Sequence, residues 1–248
     1  MMANINDSYF DGYYKDVWRA AIPVELTKKE IDFMIQYFDL KETSKVLDVM
    51  CGYGRHAIAL AEKSVIVTAI DNLASYIDEI KEITIREALP IVPIRAEIST
   101  YKSEDIFDLA ICMGNSLNFF PEKQTRDILQ NISSSLKFGG HILINSWSIA
   151  EIAIPQFKER SWSKIGDLKF IAESKYLFHP TRIETENLIL LPDGKSESKK
   201  AIDYIFSVNE MTNMLCEAGF TLLDIYSIPG KKKFTVGEPR AYIIAVKS

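Results

Sequence analysis

Cysteine is scarce in this chain, with three in 248 residues, at Cys51, Cys112 and Cys216. They are single, widely separated and odd in number, which excludes a disulfide framework and a zinc site built from paired ligands, and fits a reducing compartment. Cys51 and Cys112 fall at strand ends with no second group placed to lower a thiol pKa, so inert packing is expected of both. Long apolar runs are missing, and the first ten residues carry Asn, Asp and Ser with no basic start, so a cytoplasmic protein without a membrane partner is expected. Positive charge is not in excess either: the net charge is −5. The one dense basic run, Lys231-Lys232-Lys233, reads as a solvated loop, so nucleic acid is not the expected partner. Internal repeats, low-complexity tracts, a nucleophilic triad and a metal-ligand cluster are also lacking, so neither a catalytic residue nor a metal is assigned.

What is present is an ordinary globular composition, 47% hydrophobic and 25% charged, in a length that suits one large domain or one domain with an insertion. The stretch Lys45 to Ala61, KVLDVMCGYGRHAIALA, is the organising one. Val46, Leu47 and Val49 read as a buried strand, Gly52 and Gly54 break it, and Ala57, Ile58, Leu60 and Ala61 resume with helical spacing. Strand, tight glycine turn and helix make a nucleotide-binding device, because a missing Cβ lets a ligand lie against the main chain. On spacing alone, Gly52-Tyr53-Gly54-Arg55-His56-Ala57 also fits the dinucleotide pattern G-x-G-x-x-G/A. Asp48, four positions before the first glycine, argues the other way: a carboxylate there repels a pyrophosphate and suits a ligand that carries an ammonium group.

At these residues, Val46-Leu47-Asp48-Val49-Met50-Cys51-Gly52-Tyr53-Gly54, the chain resembles the class I S-adenosylmethionine-dependent methyltransferases. The resemblance implies S-adenosylmethionine as cofactor and an α/β, Rossmann-like fold: a seven-stranded, mostly parallel sheet whose last strand is antiparallel. Asp48, Cys51, Gly52 and Gly54 are then cofactor contacts. Asp71, about nineteen residues past Gly52 at the tip of a β-branched run, suits the two ribose hydroxyls, with Asn72 beside it; a helix N-cap is the competing role. Glu97, after a short third strand at Ile91 to Ile94, takes the position that in the family contacts the adenine amino group, where Asp is more usual. The fourth strand, Phe107 to Cys112, leads into a loop from Met113 to Phe119 at the point where strand order reverses. Met113 and Asn115 in it are expected to face cofactor and acceptor.

Ahead of this core, an aromatic arm runs from Tyr9 to Ile22, and Thr27-Lys28-Lys29-Glu30 reads as a capping box starting a helix with Ile31, Met34, Ile35 and Phe38 inward. The arm is either a flap over apolar surface or, as in the glycine N-methyltransferases it resembles, a cover in which Tyr14, Trp18 and Arg19 close over the methionine half of the cofactor. Downstream, Gln124 to Leu136 reads as a helix, Gly139-Gly140 as the end of a connection and His141 to Trp147 as a fifth strand, the Leu-Lys-x-Gly-Gly step matching the family's late signature. Residues 168–177, 182–191 and 199–206 read as extended segments, so an antiparallel insertion over 160–206 interrupts a core of 1–159 and 207–248. It resembles the lid of sugar and amino-acid N-methyltransferases, and with the arm is expected to roof the transferable methyl. Ser207 to Glu210 caps a further helix that ends at Gly219, before two last strands.

The Asn/Asp-Pro-Pro-Tyr/Phe loop of enzymes that methylate bases or glutamine amides is not found, which implies a small, diffusible acceptor, an amine or a hydroxyl. Tyr14, Asn115, Asn118, Trp147 and His179 are candidates to touch it, none as a base. The competing readings are a nicotinamide-dependent oxidoreductase and a non-catalytic S-adenosylmethionine-binding protein; a monomer or a homodimer is expected.

Overall fold

The computed structural model describes residues 5–103 and 106–248. The chain enters through α1 (Tyr14–Ala21) and α2 (Val24–Tyr37), then alternates: β1 (Lys45–Val49), α3 (Arg55–Ala61), β2 (Ile66–Asp71), α4 (Ala74–Glu87), β3 (Ile91–Arg95), β4 (Phe107–Cys112), α5 (Glu122–Ser135) and β5 (Leu136–Ser146). After α6 (Ala150–Gln156) come β6 (Arg160–Ile165), β7 (Leu168–Phe178), β8 (Thr181–Leu190) and β9 (Ser196–Tyr204). The chain then returns through α7 (Val208–Glu217), β10 (Phe220–Ile228), β11 (Lys232–Lys233) and β12 (Ala241–Lys247).

The main sheet has the order β11-β10-β12-β5-β4-β1-β2-β3. The strands from β5 to β3 are parallel, and β12 is antiparallel to both of its neighbours. Side chains alternate across β1: Val46 packs with Ile31, Met34, Leu60 and Ile77 from α2, α3 and α4, while Leu47 and Val49 pack with Ile128, Ile132, Met211 and Leu215 from α5 and α7. A strand covered on both faces must be apolar almost throughout, which is why β1 reads as a continuous hydrophobic run. β1 and β4 are neighbours whose following helices cover opposite faces, so their carboxyl ends diverge into a crevice.

Three expectations change. The main sheet has eight strands, not seven, because Lys232 and Lys233 of the basic run pair antiparallel with the end of β10 while their side chains stay exposed. The second helix begins at Val24, directly after Pro23 (φ −65°, ψ 142°), with no side-chain cap. The proline fixes the start, and Thr27 and Glu30 fall inside the helix, where Glu30 turns into the core instead of capping. The Leu-Lys-x-Gly-Gly step is part of β5 rather than a connection: Gly139 has φ +75°, and a Cβ on Gly140 would lie 2.9 Å from the Lys137 carbonyl and 3.2 Å from that of Asp108. The strand thus passes through an irregularity opposite Phe107 and Leu109.

The second sheet is an antiparallel meander, β6-β7-β8-β9. Its edge strand β6 was not legible, since nearly every side chain in it is exposed and no apolar alternation marks it. The capping box at Ser207 forms as expected: the Ser207 hydroxyl accepts from the Glu210 amide at 3.2 Å and the Ser207 amide donates to the Glu210 carboxylate at 2.7 Å.

Candidate functional site

The turn after β1 is where the sequence bends most sharply. Met50, Gly52 and Gly54 all have positive φ, at 55°, 56° and 78°. The two glycines serve different ends. A Cβ on Gly52 would meet nothing within 4 Å, so its absence leaves main chain open to a ligand; a Cβ on Gly54 would lie 2.8 Å from Ile80, so its absence lets α3 start against α4. The turn opens into a cleft at the carboxyl ends of the parallel strands. Its floor and walls are the carboxyl ends of the parallel strands: Asp48 and Met50 to Tyr53 at the end of β1, Asp71 to Leu73 at the end of β2, Ala96 to Ile98 after β3, and Met113, Gly114 and Ser116 after β4.

Two carboxylates dominate its electrostatics. Asp71 is buried; one oxygen accepts from the Gly52 amide at 2.9 Å, the other from the Leu73 amide at 3.0 Å. It ties the glycine turn to the start of α4, and burial, offset by these amides, raises its pKa. Asp48 is 1% exposed, and neither oxygen makes a hydrogen bond of ordinary geometry. Burial pushes its carboxyl up to about 7, with the Arg55 guanidinium and the Ala57 amide drawing it down and Asp71 adding to the rise. A buried carboxylate with no partner calls for a hydrogen-bonding cation, and an ammonium group meets that demand. Cys51 beside it is a thiol pushed far up by burial and by these two acids. Asn72 donates to Asp7 at 2.8 Å and to Glu97 at 3.1 Å, so the residues after β2 and β3 are joined at the cleft mouth.

The roof is the N-terminal arm. Asn6, Asp7, Phe10, Tyr14 and Trp18 line the cleft from above, and no described residue between 160 and 206 does so. Phe10 packs on Phe119 with ring centroids 4.8 Å apart, Tyr14 stacks on Trp18 at 6.0 Å, and Trp18 meets Trp147 at 5.4 Å. The insertion reaches the cleft through the arm: Asn6 exchanges bonds with the Ile202 backbone at 2.8 and 3.1 Å, Asn187 donates to the Tyr9 hydroxyl at 3.1 Å, and Lys199 to the Ser8 carbonyl at 2.9 Å. Its own aromatics lie elsewhere, Trp162 and Phe178 each being 72% exposed, so the expectation of a shared roof is corrected to an arm that the insertion holds down. The reason is that β8 and β9 carry the arm, through Asn187, Lys199, Ala201 and Ile202, while Trp162 of β6 and Phe178 of β7 stay uncovered.

Of the residues singled out from the sequence, Tyr14, Trp18, Asp48, Cys51, Gly52, Asp71, Asn72, Glu97 and Met113 line the cleft; Arg19, Gly54 and Asn115 do not. Arg19 pairs with Glu79 on α4 and lies over the Tyr53 ring at 4.8 Å, outside the cleft. Asn115 is fully buried with its amide saturated: Oδ1 accepts from Ser146 Oγ and from the Trp147 and Ser148 amides, each at 3.0 Å, and Nδ2 donates to Ser148 Oγ and Asp203 Oδ1, each at 2.8 Å. Asn118 is likewise buried, donating to the Tyr204 carbonyl at 2.9 Å. His179 is exposed in the turn between β7 and β8.

Sequence reasoning missed Arg55 and His56, although both stand in the glycine motif, and both line the cleft. They converge on Glu30, with Arg55 at 2.7 Å and His56 Nε2 at 2.9 Å, while Tyr242 donates to its other oxygen at 2.7 Å. Burial raises the Glu30 pKa, but the His56 hydrogen bond and Arg55 outweigh it and hold the group at about 2; burial and Arg55 depress His56 to about 4. A neutral imidazole thus donates to an ionised carboxylate behind the glycine turn. Asp203, from the end of β9, was missed because nothing in the sequence of an insertion strand says where it docks.

Residues 46–140 match the family model described as a methyltransferase domain. A Geobacillus sp. (strain WCH70) protein named as a methyltransferase is 22% identical over 86% of this chain and 88% of its own. Glycine/sarcosine N-methyltransferase of Halorhodospira halochloris is 27% identical over 56% of this chain and 53% of its own. Among solved structures, an S-adenosylmethionine-dependent methyltransferase from Clostridium acetobutylicum superposes with a TM-score of 0.81 at 18% identity, covering 94% of this chain and 95% of that one. An amino pentose methyltransferase from Micromonospora echinaspora, with S-adenosylmethionine bound, superposes at 0.70 with 17% identity over 96% and 98% of the two chains. Among the described residues no helix is long and apolar enough to cross a membrane.

Proposed function

Since the chain is a class I S-adenosylmethionine-dependent methyltransferase, we propose that it methylates a small diffusible acceptor, an amine or a hydroxyl, held beneath the aromatic arm. The observation that carries this reading is the roof: Phe10, Tyr14 and Trp18 of the arm line the cleft opposite the strand ends, which leaves no open face for a macromolecular acceptor to lie on. The amino pentose and glycine/sarcosine enzymes named above act on small amines by their names, which supports the same class of acceptor.

The residues present fit the cofactor. Asp48, buried and without a partner, takes the ammonium group of its methionine half, the bare main chain at Gly52 gives it room, and Asp71 keeps a free lone pair on each oxygen for the ribose hydroxyls. Glu97 and Asn72 flank the adenine end. S-Adenosylmethionine supplies a methyl group on a sulfonium that is already a good leaving group, so the protein needs to align, enclose and dry the reacting pair. Tyr14, Trp18 and Met113 do this: their apolar surface excludes water, and aromatic faces favour a sulfonium by about 0.5–2 kcal/mol.

The test has two stages. Calorimetry is expected to give binding of S-adenosylmethionine and none of NAD. Incubation with methyl-labelled cofactor and a panel of small amines and alcohols is expected to move label into at least one of them. Transfer only to protein or RNA would overturn the small-acceptor reading.

A further inference from the structure

Asp48 answers only one of the two charges on the methionine half of the cofactor. That half bears its ammonium group and its carboxylate on one carbon, so whatever receives the carboxylate has to stand close to Asp48. Among the described residues that line the cleft, the acids Asp7, Asp48, Asp71 and Glu97 face a single permanent cation, Arg55. Most neutral donors there are already engaged: Asn6 by the Phe119 and Ile202 carbonyls, Asn72 by Asp7 and Glu97, Ser116 by the Met113 carbonyl and the Tyr76 hydroxyl by the Phe10 carbonyl. Arg19, which the resemblance places at the methionine half, is drawn away to Glu79 and does not line the cleft.

Arg55 opens α3, in the turn that follows Asp48, and lines the cleft with it. Its side chain is 14% exposed, and only one of its nitrogens is bound: Nη1 donates to Thr27 Oγ1 at 2.8 Å and to Glu30 Oε2 at 2.7 Å, while Nη2 and Nε make no hydrogen bond among the described residues. A guanidinium held at one corner keeps the rest of its planar fork for a second carboxylate. Glu30 is itself fixed by His56 and Tyr242, so the fork is anchored to the core.

We propose that Arg55 receives the carboxylate of the methionine half of S-adenosylmethionine, so that Asp48 and Arg55 read its two charged groups together while Arg19 only holds the arm. This rests on the methyltransferase reading above. A ligand without the carboxylate leaves the Arg55 fork buried and unanswered, and one without the ammonium group does the same to Asp48. The pair therefore selects an α-amino-acid tail over a plain amine or a plain acid, and with it S-adenosylmethionine over its decarboxylated form, although both carry the sulfonium and the methyl group.

Calorimetry on the full chain compares S-adenosylmethionine with decarboxylated S-adenosylmethionine. The native protein is expected to prefer the first by about tenfold or more, the loss of charge-assisted hydrogen bonds accounting for the difference. Arg55→Gln, whose amide can still donate to Glu30, is expected to bring the two ligands within about threefold by weakening S-adenosylmethionine and leaving the decarboxylated form as it was. Arg19→Gln is expected to move both ligands together and to keep the preference. Arg19 is 39% exposed at its side chain, so this second variant decides even if Arg55→Gln does not fold. A native protein without the preference, a preference that survives Arg55→Gln, or one that vanishes in Arg19→Gln overturns the proposal. Failure of both ligands to bind the native protein would instead strike the cofactor reading, a separate result.

Discussion

Asp48 and Asp71 stand at the carboxyl ends of neighbouring parallel strands and are opposites in their bonding: Asp71 accepts from two backbone amides, whereas Asp48, still more deeply buried, makes no hydrogen bond of ordinary geometry. One carboxylate is built into the turn; the other is left for a ligand.

That asymmetry makes Asp48 a cost to the free protein. Its folded pKa, about 7, lies above the ordinary value of 3.8, so the folded chain holds an extra proton between these values, and stability is lost as pH rises through 7. Asp48→Asn is expected to stabilise the cofactor-free protein at pH 8 by roughly 2–4 kcal/mol and to weaken S-adenosylmethionine at least tenfold. Urea melts and calorimetry read the two effects. A variant that is both less stable and equally tight would show that Asp48 serves the fold.

Replacing Asp71 removes two things at once, ribose hydrogen bonds and the tie between Gly52 and Leu73. Asp71→Ala is expected to weaken S-adenosylmethionine by about 2–3 kcal/mol. Asp71→Asn separates the roles, since its amide oxygen can keep one backbone bond while the charge is gone. Unchanged affinity in both variants by calorimetry would leave Asp71 as a turn residue only.

The glycines of the motif offer a matched pair. Gly54→Ala forces a Cβ to 2.8 Å from Ile80 at φ +78°, so it is expected to cost about 2–4 kcal/mol of stability. Gly52→Ala meets no protein atom within 4 Å, so its strain costs about 1 kcal/mol, and its methyl group intrudes on the ligand instead. Thermal melts should rank Gly54→Ala as the less stable, and calorimetry should rank Gly52→Ala as the weaker binder; the reverse order in either would refute the division of labour.

What the sequence made legible follows from where information is local. The β1 turn, Asp71 after β2 and the Ser207 box are each written within a few residues, and each forms where expected. Asn115 was expected to face the cleft and does not: its carbonyl is filled by Ser146, Trp147 and Ser148, some thirty residues on, which nothing local encodes. Glu30 matched a capping pattern locally, yet Arg55, His56 and Tyr242, distant in sequence, draw it into the core. Asp203 and β6 depend on how an insertion docks, which no periodicity encodes.

The Glu30 cluster is accordingly expected to behave as one unit. Glu30→Ala strands Arg55 and the Tyr242 hydroxyl in the interior and should cost about 3–5 kcal/mol by chemical denaturation. His56 titrates at about 4 when folded against 6.5 otherwise, so the unfolded chain binds the extra proton between those values and stability is lost as pH falls across them. Glu30, held at about 2 against 4.5, adds a further loss below pH 4.5. In His56→Gln the first of these two losses should vanish and the second shrink, since the His56 hydrogen bond is the largest pull on Glu30 and Arg55 remains; a native-like slope between pH 6.5 and 4 would assign it to another group.

The arm is held from two sides, and the weaker can be released alone. Toward the core, Lys15 at 3.0 Å and Arg19 both pair with Glu79 on α4, and the Tyr76 hydroxyl donates to the Phe10 carbonyl at 2.5 Å. Toward the insertion, Asn6, Tyr9 and Lys199 make the bonds described above. The Glu79 pairs are partly exposed, so they are worth no more than about 1 kcal/mol, and Glu79→Gln should barely shift the melting temperature. It should instead speed cofactor release several-fold, and more so at low salt, where the native pairs are strongest. Deleting residues 1–20 removes Phe10, Tyr14 and Trp18 with the whole roof and is expected to lower S-adenosylmethionine affinity at least tenfold, the strand ends remaining to hold what is left. If the truncated protein folded and bound as tightly as the full chain, the arm would be packing alone, and the methyl group would have to be enclosed by the strand ends and the Met113 to Phe119 loop.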